Sequence, residues 1–179
     1  MYDPVPATMR IEVICTGDEV LTGKIVNTNF AYISQRLEDV GLSVQWETTV
    51  GDDRDSLFRA FRLAAERADA VIVNGGLGPT VDDLSQEIAA QAAGVELVLC
   101  DEWLTRMEDF FRRRSRVMPP NNKKQAMLPA GAELIDNPIG TACGFAVDGD
   151  VAVHMIDERR VEGLLAFEQR GDHRPHART

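Results

Sequence analysis

Apolar positions follow two alternating rhythms along the chain. Arg10 to Thr16 reads Arg-Ile-Glu-Val-Ile-Cys-Thr, nearly continuous in apolar residues, and predicts a central parallel strand. Phe30, Ile33, Leu37 and Val40 then fall at helical spacing, which predicts a helix over 27–40 with Gly41 as its C′ stop. Ser43 to Val50 alternates as a strand and closes at Gly51-Asp52-Asp53. Asp55 or Ser56 can cap the following helix, whose Leu57, Phe58, Phe61 and Ala65 give an inward face. Val71 to Asn74 is a short β-branched run that suits a buried strand, and a helix follows from about Asp83 to Ala93, stopped by Gly94. Three strand–helix units in succession predict an α/β fold, with a parallel sheet, right-handed crossovers and helices on both faces.

Beyond Gly94 the pattern loosens. Asp101 reads as the N-cap of an amphipathic helix carrying Trp103, Leu104, Met107, Phe110 and Phe111 on one side, broken at Pro119-Pro120. Ala132 to Ile135 and Phe145 to Val147 look like short strands around the turn Asn137-Pro138-Ile139-Gly140. Val151 to Met155 can make a strand and Asp157 to Phe167 a helix, while Glu168 to Thr179 is rich in Arg and His and reads as disordered. Residues 1–8, with two prolines, read as a loose leader. The main domain is expected over 9–148, and 149–179 is expected to be an atypical tail, the least ordered part of the chain. No internal repeat is visible.

Composition narrows the chemistry. The 179 residues fit one domain with a sizeable core, and 44% hydrophobic with 27% charged residues is ordinary for a globular protein. A net charge of −10 argues against sequence-independent nucleic-acid binding, which rests on phosphate neutralisation by Lys and Arg. No apolar run approaches the length of a membrane span, and Met1-Tyr2-Asp3-Pro4 does not open a signal peptide. Cys15, Cys100 and Cys143 are odd in number and scattered among apolar neighbours, which suits reduced thiols and a cytoplasmic location. His154, His173 and His176 all lie beyond the main body, so Ser-His or Cys-His chemistry and His-bound zinc are not expected there. Cys143, with no histidine to activate it, reads as a small buried residue.

Candidate chemistry centres on Asn74-Gly75-Gly76-Leu77-Gly78-Pro79-Thr80-Val81-Asp82-Asp83. A strand that ends in a glycine turn and feeds a helix offers unpaired N–H groups and close backbone approach to an anion. Asp82-Asp83 can be read as a helix cap, or as carboxylates that meet a phosphate through a divalent cation. Asp18-Glu19, Asp52-Asp53 and Asp82-Asp83 all follow strand C-termini, so six acids are predicted to share the sheet edge where doubly wound folds bind ligands. Arg112-Arg113-Arg114-Ser115-Arg116 has two readings as well: complementing a helix C-terminus, or meeting the phosphates of a nucleotide-like ligand.

Thr16-Gly17-Asp18-Glu19, Val50-Gly51-Asp52, the glycine loop to Asp83, Asn122-Lys123-Lys124-Gln125-Ala126 and Gly140-Thr141-Ala142 together resemble the amino-terminal domain of the competence/damage-inducible CinA proteins. That domain is similar to the molybdopterin-binding domains of molybdenum-cofactor biosynthesis. The resemblance implies a three-layer α/β/α sandwich with a mainly parallel sheet. It implies catalytic roles for Asp52 and Asp83, and a metal (Mg, Mn or Co) at Asp82 and Asp83. It implies ligand or phosphate contacts from Gly17, Asp18, Glu19, Gly75, Gly76, Gly78, Pro79, Thr80, Ser85, Asn122, Lys124 and Gln125. The implied activity is metal-dependent ADP-ribose pyrophosphatase; for the cofactor-synthesis relatives it is molybdopterin binding or adenylylation. A binding module without turnover is the alternative from another class. Self-association is the family habit, and the apolar face of Asp101 to Arg113 could serve it. Two departures stand out: no room for the family's nicotinamide mononucleotide deamidase domain, and no Pro-Gly-x-Pro loop between Val151 and Thr179.

Overall fold

The computed structural model describes residues 9–137 and 140–147, together with the backbone of 153–155. Three parallel strands form first: β1 (Ile11–Thr16), β2 (Val44–Val50) and β3 (Ala70–Asn74). Between and after them run α1 (Asp18–Leu21), α2 (Thr28–Glu38), α3 (Arg54–Arg67) and α4 (Ser85–Ala93). The second half adds β4 (Leu97–Leu99), α5 (Asp101–Arg112), a 3-10 segment over Pro120–Ala126, β5 (Met127–Pro129), β6 (Glu133–Ile135), β7 (Gly144–Val147) and β8 (Val153–Met155). The main sheet has the order β2-β1-β3-β8-β7-β6, and β4 pairs with β5 in a separate antiparallel ribbon. β1, β2, β3 and β8 are mutually parallel, while β7 runs antiparallel to both β8 and β6.

Strand periodicity divides the core into two. Ile11, Val13, Cys15 and Ile72 face α2, where Ile33 and Leu37 cover them. Ile14, Val71 and Val73 face the other way and pack with Leu57 and Phe61 of α3, Ile88 of α4 and Trp103 and Met107 of α5. Because successive residues of a strand point to opposite faces, a strand buried on both sides must be apolar at nearly every position, as β1 is. Helices on both sides of one sheet make the three-layer α/β/α sandwich expected from the sequence. The apolar face of α5, weighed as a self-association surface, puts Trp103 and Met107 into this core.

Helix ends follow local rules with some reassignment. Asn27 caps α2 by accepting from the Phe30 amide at 3.0 Å. Asp53, rather than Asp55 or Ser56, caps α3 by accepting from the Ser56 amide at 2.8 Å. The Ser56 side chain first, and then this amide bond, hold the Asp53 carboxyl below the usual carboxylate range. Asp101 is already inside α5, whose cap position falls to Cys100 with no side-chain bond; there the carboxylate acts through the helix dipole. Gly94 closes α4 in the left-handed conformation as expected.

The tail differs from expectation at one place. Val153–Met155 pairs parallel with Val71 to Val73 and antiparallel with Phe145 to Val147, so it joins β3 to the antiparallel end of the sheet. The short Val-His-Met run therefore takes up the strand that Val151 to Met155 allowed, against the poor order expected of the tail as a whole. The helix expected over 157–167 and the Arg/His-rich end lie outside the described residues.

One buried charge sits in this frame. Glu12, 1% exposed, points from β1 into the α3 side and receives Nε and Nη2 of Arg67, both at 2.7 Å, and the Thr48 hydroxyl at 2.7 Å. The guanidinium lies over the Trp46 ring at 5.1 Å. Removing one partner of such a pair strands the other, so Arg67→Ala is expected to lower stability by about 3 kcal/mol in urea unfolding. The combined Glu12→Leu, Arg67→Met variant should recover most of that loss; equal destabilisation of both variants would show that the pair itself is not the cause.

Candidate functional site at the strand ends

Parallel pairing brings three loops to one edge. The Gly17 amide donates to the Val50 carbonyl at 3.0 Å, fastening the loop after β1 to the end of β2. Two reciprocal bonds continue the seam: Asp18 N–H to Asp52 Oδ2 and Asp52 N–H to Asp18 Oδ1, each 3.2 Å. A Cβ at Gly51 would run into the Asp18 carboxylate, so glycine is what lets the two loops close. Burial raises the Asp52 carboxyl above its ordinary pKa, against the bond from Asp18 N–H, and the charges of Asp18, Glu19 and Asp82 raise it further. A carboxyl held up in this way can take a proton nearer neutral pH than an ordinary aspartate.

The glycine loop is the third member. Gly75 has φ 111°, a conformation that L side chains rarely adopt, and a Cβ there would sit 2.8 Å from the Thr16 carbonyl oxygen. Ser85, fully buried, donates its hydroxyl to the Gly75 carbonyl at 2.9 Å and its amide to the Gly76 carbonyl at 3.2 Å. Asp83 accepts from the Thr80 amide at 2.8 Å and from the Thr80 hydroxyl, so it closes the turn rather than capping α4. From the 3-10 segment, Gln125 donates to the Leu77 carbonyl at 3.1 Å and accepts from Asn122 at 2.8 Å; both side chains are buried. Lys124 reaches the Thr80 carbonyl with its ammonium. With the carbonyls so engaged, the amides of Gly76, Leu77 and Gly78 have no acceptor among the described residues. Consecutive unpaired N–H groups are the kind of donor from which anion-binding concavities are built.

The structure thus gathers Gly17, Asp18, Glu19, Asp52, Gly75, Gly76, Gly78, Pro79, Thr80, Asp82 and Asp83 at one rim. It gives Ser85, Asn122, Lys124 and Gln125 bonds to the loop itself. Asp53 is turned to its cap. Sequence reasoning assigned no site role to several neighbours. The Thr16 hydroxyl is buried at the end of β1 beside Gly75 with no hydrogen-bond partner among the described residues. Asn74 is buried and accepts from Asn29 at 3.3 Å. Arg54 pairs with Glu87 at 2.8 Å and, with a smaller contribution from Lys124, holds that carboxyl below its usual pKa. Polar residues at strand C-termini were the available signal for Thr16 and Asn74.

Among the described residues no three of His, Cys, Asp and Glu are arranged to hold a metal. The oxygens present suit a hard cation that keeps its waters and shares phosphate oxygens, which needs only one or two protein carboxylates. Asp82 and the Oδ1 of Asp83, neither hydrogen-bonded among the described residues, are the donors of that kind.

This α/β/α sandwich with a glycine loop at the strand ends is of the molybdopterin-binding type: residues 12–162 match the family model described as "Probable molybdopterin binding domain", and the chain belongs to that family. Within it the likeness is to CinA-like proteins. A CinA-like protein of Shewanella loihica is 54% identical over 139 residues, which are 78% of this chain and 33% of that protein. The chain therefore spans a minor part of the curated relatives it matches. The crystal structure of the protein CinA with unknown function from Thermoplasma acidophilum superposes with a TM-score of 0.78 at 33% identity, over 91% of this chain and 97% of that one. The tungsten cofactor synthesizing protein MoaB from Pyrococcus furiosus shares the fold at 17% identity and a TM-score of 0.56, over 93% of each chain.

Two outcomes follow from the rim. Gly75→Ala should lose about 1–3 kcal/mol, because it adds both a left-handed φ penalty and a contact with Thr16, while Gly131→Ala, strained in φ but open to space, should lose less. Asp52 has a raised pKa in the folded chain, so its contribution is fully present below the unfolded pKa and is lost as pH rises through the folded one. Asp52→Asn should therefore be the more stable protein at neutral pH and lose that advantage below the ordinary carboxylate range. Thermal melts across pH check this, and an advantage independent of pH would contradict it.

Proposed function

We propose that the rim binds a phosphate-bearing ligand of the ADP-ribose or molybdopterin class, and that the chain hydrolyses the diphosphate of ADP-ribose or a related nucleotide with a divalent cation. The observation that carries this reading is the run of amides at Gly76, Leu77 and Gly78 with no acceptor among the described residues, at the same strand-end edge as a carboxylate whose proton affinity is raised. In this reading the loop amides hold phosphate oxygens. Asp52 orients a water and takes its proton as the oxygen bonds to phosphorus, and the bridging P–O bond breaks to leave AMP and ribose 5-phosphate. A bound Mg, Mn or Co ion would polarise the diphosphate and offset its charge beside Asp82 and Asp83. Lys124 and Gln125 keep the loop in place.

A second reading, a binding module without turnover, has its own observation: the Asp83 carboxylate is already occupied by Thr80, and no three-ligand metal group is preformed among the described residues. The names of relatives in cofactor synthesis are compatible with either.

Incubation with ADP-ribose and Mg²⁺, Mn²⁺ or Co²⁺ should release AMP, and Asp52→Asn and Asp83→Ala should each slow it on the order of 100-fold. Release at the same background rate from wild type and both variants would overturn hydrolysis. Calorimetry then separates the readings, since saturable binding of ADP-ribose without product is what the module predicts.

A further inference from the structure

Thr16 carries a hydroxyl that the folded chain leaves unused. Among the described residues three buried side-chain polar atoms have no hydrogen-bond partner: Thr16 Oγ1, Ser34 Oγ and Gln86 Oε1. Of these, the Thr16 hydroxyl is set against the glycine loop, where a Cβ on Gly75 would lie 2.4 Å from it. We propose that Thr16 is a further ligand-binding residue of the strand-end site, its hydroxyl donating to an anionic oxygen of the phosphate seated on the loop amides. This rests on the reading of the rim as a phosphate site, and it adds a residue outside the set assigned from the sequence.

Position 16 is where β1 stops behaving as a core strand. Ile11, Val13, Ile14 and Cys15 are apolar and buried, and Thr16, 6% exposed, is nearly as enclosed. A valine would fill the same β-branched shape with no polar atom to satisfy. A buried hydroxyl without a partner destabilises the free chain, so its presence there needs a cause.

The surroundings define the chemistry of that cause. Ser85, the hydroxyl that a Cβ on Gly76 would meet, is already used: it donates to the Gly75 carbonyl at 2.9 Å. The Gly76 carbonyl accepts from the Ser85 amide at 3.2 Å, the Leu77 carbonyl from Gln125 at 3.1 Å, and the Thr80 carbonyl from Lys124. These acceptors are engaged, while the amides of Gly76, Leu77 and Gly78 have no acceptor among the described residues. A group entering here meets N–H and O–H donors, and a tetrahedral oxyanion is the partner that offers acceptors alone. Neither Gly75 nor Gly76 has a side chain to stand between the hydroxyl and those amides, and their φ values of 111° and 68° favour glycine at both positions. Gly75 covers the hydroxyl in the free chain. A turn about the Thr16 Cα–Cβ bond brings it to the ligand oxygen while the loop keeps its shape.

The probe is AMP with Mg²⁺, added to the ¹⁵N-labelled chain, with adenosine as the control that lacks phosphate. The Gly78 amide reports binding, and thermal melts report stability. Without ligand, Thr16→Val is expected to melt about 2 °C or more above wild type, because the unsatisfied hydroxyl is gone. The same variant should bind AMP about tenfold more weakly, for want of one charge-assisted hydrogen bond. Thr16→Ser keeps the hydroxyl and should bind within about twofold of wild type. The proposal is overturned if Thr16→Val melts at or below the wild-type temperature, as a hydroxyl already satisfied by a trapped water would require. It is also overturned if Thr16→Val binds AMP like wild type, or if Thr16→Ser is weakened as much as Thr16→Val. A wild-type Gly78 amide unmoved at about 5 mM AMP, or moved equally by adenosine, removes the phosphate reading of the rim itself and this assignment with it.

Discussion

The rim depends on the parallel pairing of β1 with β2 on one side and β3 on the other. Parallel strands end at the same edge, so Gly17, Gly51 and Gly75 are carried to one place although their loops are far apart in sequence. Burial on both faces enforces this register. A one-residue slip would turn Ile11, Val13 and Cys15 away from α2 and push Glu12 off Arg67. The buried ion pair is thus a second lock on the same strand, since Glu12 finds Arg67 and Thr48 only in the observed register.

At the rim, hydrogen-bond accounting separates scaffold from binding surface. Ser85, Gln125 and Lys124 take carbonyls of the glycine loop, and Asp83 takes the Thr80 amide and hydroxyl. A loop that satisfies its carbonyls internally is held in one shape, and its remaining amides become the chemically open groups. Rigid presentation of donors matters because a phosphate meets them without reorganisation cost. The acids work against such a ligand unless a cation is shared, and their mutual repulsion is what lifts Asp52 after burial has done so.

The antiparallel end of the sheet shows how little pattern a short element needs. β4, β5 and β6 have three residues each, too few for alternation to stand out, and the ribbon of β4 with β5 was not anticipated. β8 is as short, and it was weighed against disorder because the tail falls in apolar content and ends rich in Arg and His. What places it is the open edge of β3 meeting β7, two rows of N–H and C=O groups that a third backbone satisfies whatever its side chains.

By itself the sequence determined the three strand–helix units, the two-faced core and the glycine turn at the end of β3. These rest on local periodicity and on conformations that only glycine adopts easily. It also determined which acids reach the sheet edge, because alternating connections leave no other place for them. Only the tertiary structure decided how each polar atom is used. Gln125 meets the Leu77 carbonyl across 48 residues and Asp18 meets Asp52 across 34, and no local pattern encodes such pairings. The same holds for the arginines of α5: their spacing allowed a helix terminus or a ligand contact, and only the tertiary structure paired Arg106 with Asp136 and Arg112 with Asp109. Hydrogen bonds and charges are settled by which groups the fold brings within reach, and that is a property of the assembled chain.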